Sequence, residues 1–131
     1  MPNKIIYYYQ TFCGLQNLLN NKNPTTHIHL SSIHFGLDLK NNPYIHLNNS
    51  PPDEQPEVWN DIKNAYMNNI KILVLLGGAG GAYGDLFKNY DVFYKMLKIF
   101  LNKYNYISGI DLNVEEEVTM LNIQKLINDI R

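Results

Sequence analysis

A chain of 131 residues, 45% hydrophobic and 18% charged, has the length of one compact domain and enough apolar side chains to bury a core. Its 11 basic and 12 acidic side chains leave a formal charge of -1, which excludes a polybasic binder of nucleic acid or membrane surfaces, because phosphate affinity needs a clustered excess of Lys and Arg. No run approaches the roughly 18 apolar residues of a membrane span, and the apolar residues 5–9 fall short of the stretch of about 7 to 15 that a secretory signal needs, so the cytoplasm is the default location. The single cysteine, Cys13, cannot close an internal disulfide and is expected to pack.

Residues 4–12 form a short apolar and aromatic run that predicts a first strand, and residues 15–21 a short helix before a loop over 21–25. Residues 27–35 are rich in apolar and β-branched side chains and stop at Gly36, predicting a second strand. Turn residues flank 44–47, a small accessory strand. From Glu57 the period changes: Val58, Ile62, Ala65 and Tyr66 recur at helical spacing up to the Asn68-Asn69 stop. Residues 71–76 are nearly all aliphatic, the pattern of a strand buried on both faces, and run into the cluster Gly77, Gly78, Gly80, Gly81. Phe93, Met96, Leu97, Phe100 and Leu101 mark one face of a third helix, residues 107–114 a fourth strand and residues 121–130 a fourth helix. Strand and helix alternate four times, so the class is α/β with parallel strands, right-handed crossovers and helices on one side.

The stretch that carries chemistry is Ser108-Gly109-Ile110-Asp111-Leu112-Asn113-Val114-Glu115. In a strand, positions i, i+2 and i+4 project to one face, so Asp111, Asn113 and Glu115 form a polar ladder while Ile110, Leu112 and Val114 face the helices. Acids in an interior are costly unless they hydrogen-bond to one another, and that coupling raises the pKa of one member, as a general acid requires. The competing reading makes Asp111 a structural hydrogen-bonder and Glu115 to Glu117 an acidic helix start.

With its neighbours, this stretch resembles glycoside hydrolase family 18, the chitinase family, in its fungal-type branch. The signature D-G-x-D-x-D-x-E is matched by S-G-I-D-L-N-V-E, and the third-strand S-x-G-G by Leu75-Leu76-Gly77-Gly78. T-H-I-H-L-S-S-I-H-F-G, I-H-L-N-N-S-P-P-D, K-I-L-V-L-L-G-G-A-G-G-A-Y and E-E-E-V fall in the same order, so the resemblance runs from Lys4 to Arg131. It implies a (β/α)8 barrel and hydrolysis of β-1,4-linked N-acetylglucosamine chains such as chitin, by a substrate-assisted route that departs from the usual pair of carboxylates. Glu115 matches the acid that protonates the glycosidic oxygen while the sugar's acetamido oxygen attacks C1. Asn113 stands where an aspartate orients the acetamido N–H, and Asp111 matches the inner aspartate that shares a proton with it. Asn113 can accept that hydrogen bond but carries no negative charge. Ser108 and Leu75 also depart from the pattern, which implies reduced activity or none.

A barrel of this kind takes about 250 residues, so the expectation here is a single domain over residues 1–131 that forms a truncated half barrel of about four strand-helix units. Open strand edges and exposed inner residues promote association, hence pairing as a homodimer or with a separate C-terminal half. The rival readings are a non-catalytic carbohydrate-binding or interaction module, and a gene remnant.

The glycine cluster lacks the Lys-Ser/Thr of a phosphate loop and fits a tight turn at a cleft rim, with Gly78 and Tyr83 as candidate substrate-binding neighbours. Period 2 separates Tyr7 and Tyr9 from Tyr8, so one set can line the cleft; Tyr7 joins the candidates. His27 and His29 share a strand face but find no third ligand, and His34 and His46 have none either, so neither metal nor cofactor is expected. Trp59 is expected in the core.

Overall fold

The computed structural model describes residues 3–20 and 24–131. Its elements are β1 (Ile6–Tyr9), α1 (Gln16–Asn20), β2 (His27–Leu37), β3 (Pro43–Leu47), a 3-10 turn (Pro52–Glu54), α2 (Pro56–Met67), β4 (Lys71–Gly77), α3 (Tyr83–Lys88), α4 (Tyr90–Lys103), β5 (Ile107–Asn113) and α5 (Met120–Ile130). Of the expected loop over 21–25, residues 21–23 lie outside the described residues, as does the last residue of the first expected helix.

The sheet order is β1-β2-β4-β5, all parallel, with β3 folded back antiparallel on the outer half of β2. Strands that follow one another in space as they do in sequence, each joined by a crossover of one hand, place the helices on one side. The result is a partial (β/α)8-type half barrel. Ile28, Leu30, Ile72, Val74 and Leu76, which continuous aliphatic runs deliver to the helical side, are sealed under Ile62 of α2 and Leu97 of α4. On the same side Tyr9 is buried and donates its hydroxyl hydrogen to Asp61 Oδ2 of α2 at 2.9 Å, locking the first strand to the second helix.

The Asn68-Asn69 stop works as a left-handed helix end. Asn69 has φ +63°, and the Ile70 N–H returns to the Ala65 carbonyl at 3.1 Å. Trp59 stacks on Tyr104 with ring centroids 3.7 Å apart and donates to the Pro52 carbonyl, so it is a core residue. Tyr66, in contrast, is exposed: the buried stripe of α2 is Val58, Trp59, Ile62 and Ala65. Strand β2 continues through Gly36 because β3 pairs alongside it, and the Tyr44 ring fills the space that a Cβ at Gly36 would need. The short helix α3 has no counterpart in the sequence reading. Among the described residues, no helix is long and apolar enough to cross a membrane.

Candidate functional site

The fold brings the C-terminal ends of β4 and β5 side by side, with Leu75 opposite Asp111 and Gly77 opposite Asn113. Asp111 and Asn113 therefore share the face away from the helices. Asp111 is met there by His29, whose Nδ1 lies 2.8 Å from Asp111 Oδ2. The imidazole is 7% exposed and reaches across β4 to do this, since β2 and β5 are not neighbours in the sheet. A carboxylate oxygen accepts, so the tautomer that makes this contact carries its hydrogen on Nδ1. Ser31, in the same cross-strand row as Leu75 and Asp111, is 1% exposed, and its Oγ has no hydrogen-bond partner among the described residues.

Asn113 is held by its backbone: its carbonyl accepts from the Gly78 N–H at 2.9 Å, and its Nδ2 lies 3.4 Å from where a Cβ on Gly78 would stand. Gly77 is required here. It has φ +94°, and a Cβ on it would sit 2.5 Å from both the Asn113 carbonyl oxygen and the Tyr83 ring. These contacts gather Asp111, Asn113 and Gly78 at one rim.

Glu115 stands apart from that pairing. Strand β5 ends at Asn113 rather than at residue 114, because β4 turns away at Gly77 and leaves nothing for the next residues to pair with. Glu115 lies just beyond, exposed, with no hydrogen bond or ion pair among the described residues. Two other candidates are placed differently from the sequence reading. Tyr83 is 0% exposed; its hydroxyl donates to the Leu76 carbonyl at 2.6 Å, and burial, reinforced by the carboxylates of Glu116 and Asp111, pushes its phenol above the ordinary range. It supports the rim from inside rather than lining a cleft. Tyr7 shares the helical face with Tyr9, 6.4 Å away between ring centroids, whereas Tyr8 meets His29 edge-on at 5.2 Å, so Tyr8 is the tyrosine on the sheet face that holds His29 and Asp111.

The acidic run 115–117 does not begin a helix. Thr119 caps α5, accepting from the Asn122 N–H at 3.2 Å. Glu116 instead reaches back to α3: Oε2 accepts from the Ala82 and Tyr83 N–H groups at 2.6 and 2.8 Å, and Oε1 from Gly84 at 2.9 Å. Burial on its own would raise this carboxyl, but the three N–H donors outweigh it and hold the group below the ordinary glutamate range. His34 fastens the same loop, with Nδ1 2.7 Å from the Gly81 carbonyl and Nε2 2.8 Å from Ser32 Oγ. A lone Glu among three in sequence gives no sign of which helix it serves, and the approach of His29 to Asp111 spans 82 positions; neither was visible in the sequence. No three His, Cys, Asp or Glu side chains among the described residues are grouped as a metal would require.

No profile of a known protein family and no curated protein matches the chain. Among solved structures, a chitinase, ChiC, from Aspergillus fumigatus matches 98% of it at 27% identity with a TM-score of 0.87. The chain has a chitinase-like fold. It covers 50% of that chitinase, so the match is to a partial barrel, its N-terminal part. The half barrel expected from the strand-helix rhythm and from S-G-I-D-L-N-V-E is thus the fold the chain adopts.

Proposed function

We propose that the chain is the N-terminal half of a glycoside hydrolase family 18 catalytic domain, descended from enzymes that act on β-1,4-linked N-acetylglucosamine polymers, and that its ligand is such an oligosaccharide. The observation that carries this reading is the pair Asp111 and Asn113 at the C-terminal end of β5, where barrels of this class keep their reacting groups, in a fold matched to half of a chitinase. In this reading Glu115, exposed and without a hydrogen-bond partner among the described residues, is the proton donor to the glycosidic oxygen. Asn113 accepts from the acetamido N–H while the acetamido oxygen attacks C1, and Asp111 is the inner carboxylate. The amide at 113 gives no charge to the cationic intermediate, and losing one such stabiliser costs about a hundredfold or more in rate. The same amide, with Tyr83 withdrawn into the core, favours the second reading, a module that binds the sugar without turnover.

Soluble chitooligosaccharides test both. Slow hydrolysis abolished by Glu115→Gln, and raised about a hundredfold by Asn113→Asp, supports an enzyme. Binding without hydrolysis in any of the three chains supports the module, and neither binding nor hydrolysis refutes the family of readings.

The partner belongs to the same proposal. β1 and β5 present unpaired edges, and Ile6, Tyr8, Val114, Met120 and Leu121 beside them are exposed. A second copy of the chain, or a separate C-terminal half barrel, would cover them.

A further inference from the structure

The group that answers Asp111 is the least expected part of the rim. A hydrogen bond carried across an aliphatic strand takes the buried His29 ring out of water, and it persists only where the partner satisfies that ring. His29 and Asp111 make this bond over Leu73 and Leu75 of β4. Asn113, one step up the ladder, turns to Gly78 and makes no hydrogen bond to Asp111. Asp111 is 29% exposed at its side chain, and Ser31 Oγ, in the same cross-strand row, is buried with no hydrogen-bond partner among the described residues. This face therefore holds polar capacity that the protein itself does not fill.

Resting on the reading of this rim as the sugar site, we propose that His29 is a positioning residue: by donating Nδ1–H to Asp111 Oδ2 it fixes that carboxylate in orientation, so that Asp111 presents to the sugar the carboxylate that Asn113 lacks. A free carboxylate rotates, and a fixed donor on one oxygen opposes that rotation. No covalent step involves His29. The titratable groups that face it are Tyr8 from β1, His27 two residues before it on β2 and Asp111 from β5, while β4 contributes only Leu73 to that row.

The experiment compares His29→Asn, whose amide nitrogen falls near the place of Nδ1, with His29→Gln, whose amide falls near Nε2. Both are polar, and unfolding curves check that both fold. Affinity for chitotetraose is measured by calorimetry on the whole chain, and the ring tautomer of His29 by 1H–15N correlation spectra of the parent and of Asp111→Leu, which has no acceptor. The expected results are near-parental affinity for His29→Asn, a loss of about tenfold for His29→Gln, the size of one charge-assisted hydrogen bond, and an Nδ1-protonated ring that loses this preference in Asp111→Leu. Equal affinities in parent, Asn and Gln chains, or a ring tautomer indifferent to Asp111→Leu, overturn the proposal alone. Failure of the parent itself to bind overturns the sugar site and the proposal together.

Discussion

The Glu116 carboxylate holds the turn into α3 by three hydrogen bonds, and removing it tests whether that contact stabilises the rim. Two of the donors belong to Ala82 and Tyr83, which are buried, and the third to Gly84, which is exposed and can bond to water instead. A buried N–H deprived of its acceptor costs about 1–3 kcal/mol, so Glu116→Ala is expected to destabilise by about 2–4 kcal/mol. Glu116→Gln keeps one carbonyl oxygen for the Ala82 and Tyr83 pair and should lose about 1 kcal/mol. For a chain of this size that corresponds to a fall in Tm of about 8–15 °C for alanine and about 4 °C for glutamine. Urea unfolding followed by circular dichroism measures both. The pH dependence adds a second check. A carboxyl held below its ordinary value stabilises the fold above that value and loses its contribution as pH falls through the depressed native one. The gap between parent and Glu116→Gln should therefore be full at pH 6 and close as pH drops below about 4.3. A glutamine chain as stable as the parent at pH 6, or a gap that persists unchanged at pH 3, would refute the reasoning.

At Gly77 an alanine meets positive φ, a backbone oxygen and a buried ring at once, so Gly77→Ala should cost about 3 kcal/mol or more, read from urea midpoints, whereas a cost below about 1 kcal/mol would remove the packing argument for that turn. Sedimentation of the isolated chain at micromolar concentration should reveal self-association through the β1 and β5 edges, which are unpaired among the described residues; a well-folded monomer would refute the pairing reading.

The parallel sheet was legible because its signals are local and strong: the aliphatic run over 71–76 sits sealed in β4, and Asn69 ends α2 where the sequence places a stop. The polar ladder was legible as far as Asn113, since alternation holds while a strand is paired. Glu115 lies beyond the paired residues because pairing ended with β4, which no property of residues 114 and 115 announces. Tyr83 misled for a related reason. A tyrosine after a glycine cluster suggests a rim, but the turn at Gly77 folds it inward onto the Leu76 carbonyl. Tyr7 and Tyr8 were separable by period yet not assignable to a face without knowing that His29 sits opposite Tyr8. The contributions of His29 and Glu116 depend on contacts 82 and about 33 positions away, beyond any pattern read in a window.

The tie from Glu116 to residues 82–84 also bears on how such a rim can change over time or in the laboratory. Since one side chain clasps two loops that follow different strands, neither can be transplanted, shortened or shuffled without the other. A chimera that imports the turn after β4 must import residue 116 with it, and the neighbouring Glu115 then inherits its backbone placement from a knot tied more than thirty residues upstream.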